Sequence, residues 1–495
     1  MVPPLKLAEP EPPSAVRTDR SADRRLAARG ARMAVLAASD AVALLLAGLA
    51  AYLLWALPAR RQSLTLYLEI APLLLVFLAG YAQAGLYPGF GVGPVETLRR
   101  LSYATAVGFL VLAAFAFAVK LPPVYYSRVT FTLAFALSLV LVPVTRALIV
   151  RWARRWNWWA EPVVVIGTGE RAARVIRSIQ QARHFGYRPV AALAFDTKSG
   201  TPADRDIEGV PVVGGLDCTT RLAAQGIRVA LLESRRADPG RDRPMIDRLQ
   251  RHFRHVMLVR EYDDLPVEGL QVRNLGRLVG IEYTNNLLRK GNQAIKRALD
   301  LVLAVMALIV AGPVIFAAAA LVRMLDGGPA FFIQDRAGLD GRRIAVPKIR
   351  TMRRDAEERL DEYLSAAPDL RQEWNDHFKL RADPRLIPLV GRFFRRFSID
   401  ELPQLWTVLR GDMSLVGPRP FPDYHLEHFP AAFRELRLRV RPGITGLWQI
   451  TLRSAGSTAD QESYDSYYIR NWSVWLDLYI LSRTIAAVAS GRGAY

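Results

Sequence analysis

Five long apolar stretches constrain the fold of this chain more than any other feature of its sequence. Four of them follow one another at about residues 33–57, 64–86, 101–120 and 129–150, and the fifth lies at residues 301–322. A helix of about 20 apolar residues is long enough to cross the hydrocarbon core of a membrane. We therefore expect residues 31–155 to form a bundle of four transmembrane helices.

Basic residues next to these stretches predict the orientation of the bundle, because positive charge is enriched in cytoplasmic flanks. They precede the first and third stretches and follow the fourth: Arg24, Arg25, Arg29, Arg32, Arg99, Arg100, Arg151, Arg154 and Arg155. Both ends of the bundle should therefore lie in the cytoplasm, although Arg60 and Arg61 then fall on the opposite side. Residues 1–30, rich in Pro, Ala and Arg, should form a disordered cytoplasmic tail.

Asp40 is an ionisable residue inside the first apolar stretch. Such residues are costly in a membrane helix unless they are paired or serve a function. We expect Asp40 to make a buried contact between helices.

The charge and cysteine content narrow the possible partners and compartments. A net charge of +20 with 51% apolar residues fits a membrane protein with basic cytoplasmic surfaces. Nucleic acid is not expected as a partner, because the chain has neither zinc-finger spacing nor a basic stripe interleaved with aromatic residues. The single cysteine, Cys218, excludes an intramolecular disulfide framework.

An α/β pattern follows the bundle and predicts a Rossmann-like domain over residues 160–290. Residues 163–179 (VVVIGTGERAARVIRSI) join an apolar strand to an amphipathic helix through Gly167 and Gly169. Asp196 lies roughly where a ribose-binding acid would fall.

A cofactor at this glycine turn is nevertheless not the favoured interpretation. The pattern GxGxx(G/A) alone is a weak signal, and Glu170 and Arg171 crowd the turn. A structural module without bound nucleotide is favoured over a cofactor site at Gly167 and Gly169.

The clearest chemical signal lies in residues 381–420. Two adjacent carboxylates, Asp400 and Glu401, are framed by arginines: Arg381, Arg385, Arg392, Arg395, Arg396, Arg410 and Arg419. A carboxylate pair can bind Mg²⁺ through oxygen, and guanidinium groups can hold phosphate oxygens. This combination suits phosphoryl transfer, in which fixed charges stabilise the transferring group.

The residues around the pair leave two roles open for Glu401. Ser398 to Glu401 fits the capping-box pattern, in which Glu401 reaches back to the Ser398 amide. In either role both carboxylates lie near a helix N-terminus, which keeps them ionised and attracts phosphate. An ionised Asp400 could act as a nucleophile at neutral pH without a partnering base.

Four motifs resemble those of the bacterial sugar transferases, the polyprenyl-phosphate hexose-1-phosphate transferases. They are PKIRTM at 347–352, SIDELPQLWTVLRGDMSLVGPRP at 398–420, RPGITGLWQI at 441–450 and the terminal GRGAY. The resemblance runs in order from about residue 296 to the end of the chain. Longer members of that family carry an N-terminal membrane bundle and a Rossmann-like domain, as predicted here.

The resemblance implies a reaction and assigns residues to it. Asp400 would attack the β-phosphate of a UDP-hexose and release UMP, and undecaprenyl phosphate would then take the phosphosugar from Asp400. Glu401, together with Asp400, would help to hold Mg²⁺ against the diphosphate. The phosphate oxygens would be bound by Lys348, Arg350, Arg385, Arg419 and Arg441. Residues 463–495 look most like the branch that transfers galactose-1-phosphate, with UDP-glucose as the alternative donor.

Residues 296–325 are expected to form a re-entrant membrane hairpin rather than a fifth span. Basic residues flank both ends of the apolar run, and Gly312-Pro313 would bend a helix near its centre. A crossing would place Asp400 outside the cell, whereas nucleotide-activated sugars are cytoplasmic. The resemblance implies the same arrangement, with a monotopic, mainly α catalytic domain over residues 326–495.

Three other functions remain as alternatives. A membrane-anchored NAD-dependent dehydratase or epimerase of nucleotide sugars has a similar domain plan, but no tyrosine here has a lysine four residues later. A glycosyltransferase could use Asp204-Arg-Asp206 to bind a metal, although this triplet lies in a polar loop. A non-catalytic scaffold that binds polyprenyl phosphate would not require the Asp-Glu pair.

The favoured interpretation is a transferase of the bacterial inner membrane that starts the synthesis of an exopolysaccharide, capsule or O-antigen. Its catalytic domain should face the cytoplasm, and its cofactor should be Mg²⁺. A homodimer through the large cytoplasmic domain is also expected.

Overall fold

The structure, a computed structural model, contains two compact units, residues 1–263 and residues 264–495. The structure describes residues 15–60, 71–118, 120, 127–156, 158–195, 206–233, 239–259, 270–275, 278–283, 285–356, 385–451 and 458–490. Asp196, Asp204, Arg381 and the terminal GRGAY lie outside these described residues.

Apolar helices dominate the first part of unit one. They are α1 Ala15–Ala51, continued by a π-helical segment Tyr52–Ala56 and a one-turn helix Leu57–Arg60, then α2 Leu74–Gln83, α3 Pro94–Ala118 and α4 Arg128–Ala153. Their packed interior includes Leu44, Phe77, Tyr81, Leu101 and Val142.

Among the described residues, four helices are long and apolar enough to cross a membrane: Asp23–Ala59, Pro94–Ala118, Arg128–Ala153 and Lys290–Asp326. The first three coincide with the first, third and fourth predicted spans. The second predicted span is described only in part, as the apolar helix α2, because residues 61–70 lie outside the described residues. The chain is therefore a membrane protein by the length and composition of these helices.

A buried ion pair joins α1 to α4. The Asp40 carboxylate accepts hydrogen bonds from Arg146 Nη1 at 2.6 Å and from the Tyr87 hydroxyl at 2.7 Å. Removing one partner of such a pair leaves a buried charge uncompensated, at a cost of roughly 3–5 kcal/mol. The predicted contact of Asp40 between helices is confirmed.

A parallel sheet with helices on both faces follows in the same unit. Its elements are β1 Glu161–Ile166, α5 Glu170–Gln181, β2 Tyr187–Leu193, a short pair β3 Asp206–Ile207 and β4 Val210–Pro211, α6 Thr219–Ala224, β5 Val229–Glu233, α7 Pro239–Gln250 and β6 His255–Val259. The sheet has the order β2-β1-β5-β6, with every pair parallel.

The burial pattern explains this architecture. The strands are short apolar runs, as expected for parallel strands that are covered on both faces. Ala172 and Ile176 of α5 pack on one face, and Leu222 of α6 and Leu249 of α7 pack on the other. The predicted doubly wound α/β arrangement is confirmed.

Contacts from α1 and from the loop after α2 connect the membrane bundle to the α/β part of the unit. Arg32 Nη1 donates a hydrogen bond to the Trp159 carbonyl at 2.6 Å, and its guanidinium lies 4.0 Å from the centre of the Phe90 ring. The Gly91 amide donates to the Phe185 carbonyl at 2.8 Å. The bundle and the sheet therefore form a single packed unit.

Unit two contains the fourth apolar helix and the region of the carboxylate pair. Its elements are β7 Leu270–Leu275, β8 Leu278–Tyr283, α8 Lys290–Asp326, β9 Phe331–Ala337, β10 Arg343–Ile349, α9 Val390–Arg396, α10 Gln404–Arg410, β11 Ser414–Val416, a one-turn helix Asp423–Leu426, α11 Ala431–Leu438, β12 Gly443–Thr445, α12 Leu447–Thr451, α13 Thr458–Asn471 and α14 Val474–Ser490. The β7–β8 pair, which the sequence placed in the Rossmann-like domain, is a separate antiparallel sheet of unit two.

Helix α8 differs from the two-armed hairpin that the sequence predicted. It is one continuous helix of 37 residues with Pro313 inside it, so no turn at Gly312-Pro313 separates two arms. Large apolar side chains around its middle are exposed, such as Ile309 at 71%, Val310 at 76% and Phe316 at 78%. Exposure of this kind fits contact with lipid.

Both ends of α8 are tied to the rest of unit two. Near its start, Lys296 Nζ lies 2.8 Å from Asp477 Oδ2, and Asp300 accepts a hydrogen bond from the Ser414 hydroxyl at 2.7 Å. At its end, Asp326 Oδ2 lies 3.2 Å from Arg350 Nη1. These contacts hold the exposed middle of α8 between two anchored ends.

Candidate active site

The carboxylate pair lies on a tight turn between two helices. Residues Ile399–Glu401 form one 3-10 turn between α9 and α10, and Pro403 immediately precedes α10. Ser398 has a φ of 52°, a left-handed conformation that is uncommon outside glycine and that concentrates at functional sites. The Ser398 side chain makes no capping hydrogen bond, and the Glu401 carboxylate binds elsewhere. The capping-box alternative for Glu401 is therefore wrong.

Glu401 is held between two cations. Its Oε1 accepts hydrogen bonds from Lys348 Nζ at 3.0 Å and from Arg419 Nη2 at 3.2 Å. Burial opposes the ionisation of Glu401, but Arg419 and Lys348 outweigh burial and hold the pKa below its ordinary value. Glu401 is therefore an anion at neutral pH that holds Lys348 and Arg419 at the turn.

Asp400 experiences the opposite electrostatic balance. Burial and the negative charge of Glu401 raise the pKa of Asp400 to about 6, against the effects of Lys348 and Arg395. The group is still mostly ionised at pH 7, and it is more basic than an ordinary aspartate. A carboxylate with a perturbed pKa next to a cavity is a candidate nucleophile.

The β9–β10 hairpin brings Lys348 to Glu401. Its register pairs Lys348 with Phe332, Val346 with Gln334 and Ile344 with Arg336. Because paired residues of an antiparallel sheet share a face and side chains alternate along each strand, all six lie on one side of the hairpin. This side faces the carboxylate pair through Lys348.

Arg419 is positioned by a second buried ion pair. Arg437 Nη2 donates a hydrogen bond to the Arg419 carbonyl, and the Arg437 guanidinium lies 4.5 Å from the centre of the Phe421 ring. Arg437 Nε also lies 3.7 Å from Asp465 Oδ2. Burial raises the pKa of Asp465 to about 6 although Arg437 opposes this shift. Arg437 therefore supports the backbone from which Arg419 reaches Glu401.

The other predicted phosphate-binding residues are distributed differently. Arg350 pairs with Asp326 and donates a hydrogen bond to the Gly327 carbonyl, so it links the end of α8 to β10. Arg385 lines the large cavity described below. Arg441 donates to the Gly411 carbonyl at 2.8 Å and lines neither described cavity. Lys348 and Arg419 thus contact Glu401, Arg350 and Arg385 line the large cavity with Asp400, and Arg441 lines neither cavity.

Two cavities meet at Glu401. The larger has a volume of about 1000 Å³ and the smaller about 200 Å³. Residues that line both are Lys348, Glu401, Arg419, Phe421, His425 and Ile444. Among the described residues, Asp400 lines the larger cavity and Arg336 lines the smaller. Glu401 and its two cations therefore form the boundary between two spaces.

The two carboxylates are compatible with a magnesium ion that is shared with a substrate. Within the described part of the chain, no three His, Cys, Asp or Glu residues converge to hold a metal ion. Mg²⁺ usually keeps several waters and is bound by one or two carboxylates plus substrate phosphates. Asp400 and Glu401 fit that requirement, because both line the larger cavity.

The surroundings of the glycine turn at Gly167 and Gly169 differ from those of the carboxylate pair. Gly167 has a φ of 145°, and a Cβ there would lie 2.8 Å from Glu233 Oε2. The Glu233 carboxylate therefore occupies the space next to the turn. This negative charge, which Arg171 Nη1 approaches to 3.9 Å, disfavours a diphosphate beside Gly167.

Sequence reasoning missed Arg336 and the Arg437–Asp465 pair. The alternation of side chains from Lys348 back through the hairpin could have placed Arg336 on the face of the site. No local pattern links Arg437 to Asp465 on α13, because their contact depends on how α11 and α13 pack.

Two parts of the chain match models of known families. Residues 291–491 match the family described as bacterial sugar transferase. Residues 82–229 match a family described as CoA-binding domain, a range that begins in the membrane bundle and ends in β5.

Relatives with similar sequences cover most of the chain. A UDP-galactose-lipid carrier transferase of Erwinia amylovora is 33% identical over 375 residues, which cover 74% of this chain and 76% of the relative. An undecaprenyl-phosphate galactose phosphotransferase of Salmonella typhimurium is 32% identical over 373 residues, 75% of this chain and 77% of the relative. A UDP-glucose:undecaprenyl-phosphate glucose-1-phosphate transferase of Caulobacter vibrioides is 39% identical over 209 residues, 40% of this chain and 72% of the relative.

Proposed function

The chain belongs to the bacterial sugar transferase family, and we propose that it transfers hexose-1-phosphate from a UDP-hexose to undecaprenyl phosphate. The observation that carries this proposal is the turn at Asp400 and Glu401. One carboxylate of this turn is neutralised by two cations, and the other borders a large cavity with a raised pKa.

In the proposed first step, a carboxylate oxygen of Asp400 attacks the β-phosphorus of the UDP-hexose. The bond from this phosphorus to the oxygen that bridges the two phosphates breaks, and UMP leaves with the bridging oxygen. The product is an acyl phosphate between Asp400 and the sugar. Lys348 and Arg419 lie within hydrogen-bond distance of the neighbouring Glu401. Their positive charges stabilise the negative charge on the transferring group.

In the second step, a phosphate oxygen of undecaprenyl phosphate attacks the phosphorus of the acyl phosphate. The bond to Asp400 breaks, the carboxylate is regenerated, and the sugar becomes linked to the lipid through a diphosphate. The larger cavity suits this acceptor, because it combines apolar side chains such as Phe397 and Leu405 with arginines such as Arg385 and Arg395.

Mg²⁺ is the cofactor that we propose for this reaction. Asp400 and Glu401 would hold it together with the diphosphate, and it would reduce the negative charge on the reacting phosphates. Lys348 and Arg419 supply a similar charge from the protein itself.

We further propose that α8 enters and leaves the inner membrane from the cytoplasmic face, bent at Pro313 rather than broken there. Residues near both of its ends contact other elements of unit two, and the exposed apolar side chains lie between these two ends. Basic residues also flank both ends of its apolar part. This placement keeps Asp400 on the side where nucleotide sugars are made.

Galactose-1-phosphate is our preferred assignment for the transferred group, and glucose-1-phosphate is the alternative. The two relatives with galactose in their names align over about three quarters of this chain, whereas the named glucose transferase aligns over 40%. The product would start a polysaccharide on its lipid carrier.

The test measures UMP release by the purified full-length protein in lipid nanodiscs with Mg²⁺, undecaprenyl phosphate and a panel of UDP-hexoses. The wild type should release UMP fastest from UDP-galactose. Asp400→Asn, which keeps the side-chain shape but removes the nucleophile, should lose at least about a thousandfold in rate.

The outcomes separate the parts of the proposal. A faster reaction with UDP-glucose would change the sugar and leave the chemistry intact. Equal rates for wild type and Asp400→Asn would exclude Asp400 as the nucleophile. No UMP from any donor would exclude the proposed function.

A further inference from the structure

We propose that the small cavity beyond Glu401 binds the UMP half of the donor, with Arg336 as a specificity residue for its phosphate. This inference rests on the proposed function and locates the leaving nucleotide within the site. It gives a role to a cation that none of the sequence motifs contains.

The position of the nucleophile supports this assignment. In an in-line displacement, the attacking and leaving oxygens lie on opposite sides of the phosphorus. Asp400 borders the large cavity, and the small cavity lies on the other side of the boundary formed by Glu401. A β-phosphate held at this boundary by Lys348 and Arg419 would expose its far side to the small cavity.

The direction of the β9 strand supports the assignment independently. β9 follows the membrane helix α8 after only four residues, 327–330. Phe332 lines the large cavity and Arg336 lines the small one, so about 14 Å of strand separate the two at 3.4 Å per residue. The large cavity is thus closer along the chain to the membrane helix, as a lipid acceptor requires. The small cavity is farther from it, as suits a water-soluble nucleotide.

The charge of the small cavity matches a nucleoside monophosphate. Three cations, Arg336, Lys348 and Arg419, line it together with Glu401. His425 also lines the cavity. Its pKa is lowered by burial and by the neighbouring Arg437, His428 and Arg336. A cavity with an excess of positive charge will favour a phosphate dianion, and an arginine can bind its oxygens through two hydrogen bonds.

The experiment compares Arg336→Gln with Arg343→Gln. Arg343 is an exposed residue on the partner strand of the same hairpin and lines neither cavity, so it is a matched control. Initial rates of UMP release are measured in nanodiscs while UDP-galactose, undecaprenyl phosphate and added UMP are varied separately. Melting temperatures of both variants verify folding.

Arg336→Gln should raise the KM for the UDP-hexose and the inhibition constant of UMP by about tenfold each, the effect of losing one charge-assisted contact. The KM for undecaprenyl phosphate should stay within about twofold, because this lipid occupies the other cavity. Arg343→Gln should leave all three constants unchanged. Uridine, which lacks the phosphate, should inhibit wild type and Arg336→Gln equally.

The proposal is overturned if Arg336→Gln folds and leaves the inhibition constant of UMP unchanged. It is also overturned if the variant raises the KM for undecaprenyl phosphate instead, since Arg336 would then serve the acceptor. Either result would leave the transferase function standing, because the wild type would still release UMP. A wild type that releases no UMP would overturn the function and this site together.

Discussion

Two turns in this protein carry sequence signals of a phosphate-binding site. The glycine turn at Gly167 and Gly169 joins a strand to a helix, and the acidic turn at Asp400 and Glu401 precedes α10. At the glycine turn, the Glu233 carboxylate lies 2.8 Å from the position of a Cβ on Gly167. At the acidic turn, Lys348 and Arg419 neutralise one carboxylate, and two cavities open beside it.

The difference teaches that a phosphate site requires space and an excess of positive charge, which a local motif does not guarantee. The glycine turn has the backbone of a nucleotide site but a carboxylate in contact range. The acidic turn has no glycine-rich motif, yet residues from the hairpin and from the loop after β11 bring cations to it. Four predictions test this comparison.

The largest expected effect concerns the cations of the acidic turn. Arg419→Gln should lower kcat/KM for UMP release by about a hundredfold, because it removes one charge that stabilises the transferring phosphate. Arg410→Gln is the matched control, since Arg410 is exposed at the end of α10 and pairs with Asp412. A loss below threefold in Arg419→Gln would show that the turn does not depend on its arginine.

The next effect concerns the buried pair behind Arg419. Arg437→Met should lower kcat about tenfold and lower the melting temperature, because Asp465 would become a buried charge without its partner. The double variant Arg437→Met, Asp465→Asn should recover the melting temperature but not kcat. Recovery of both would mean that Arg437 stabilises the fold without positioning Arg419.

A pH profile tests the opposite environments of the two carboxylates. A nucleophile must be ionised, so the single-turnover rate should rise with pH through about pH 6, the pKa to which burial and Glu401 raise Asp400. Glu401→Gln removes one cause of the raised pKa and should move this midpoint to lower pH. A midpoint that stays in place or moves up would contradict the electrostatic assignment.

The smallest effect is expected at the glycine turn. Glu233→Gln should change UMP release by less than about twofold, because Glu233 lies in the α/β domain and outside the proposed site. CoA and NAD should not raise the melting temperature of the wild type. Stabilisation by either ligand would show that the glycine turn binds a nucleotide despite Glu233.

Local sequence patterns predicted several features of the fold correctly. Apolar runs of sufficient length marked the long helices α1, α3, α4 and α8. The strand and helix around Gly167 followed from a short apolar run and an amphipathic repeat. These features depend on residues close in the chain, and the membrane or the sheet buries them in a predictable way.

Contacts between distant residues were beyond this reasoning. Glu401 satisfied a capping pattern, but its carboxylate binds Lys348, 53 residues away in the chain, and Arg419. Arg441, predicted to bind phosphate, donates a hydrogen bond to the Gly411 carbonyl and lines neither described cavity. Gly312-Pro313 predicted a sharp bend within a re-entrant hairpin, yet α8 continues through both residues as one helix.

The sequence by itself determined that this protein has membrane helices, a parallel α/β domain and an acidic pair among arginines, because each depends on a local pattern. The tertiary structure alone decided which cations reach that pair and which spaces open beside it. The physical reason is that a side chain's charge acts over a few ångströms in space, and the chain brings Lys348, Glu401 and Arg419 within that range only when it folds.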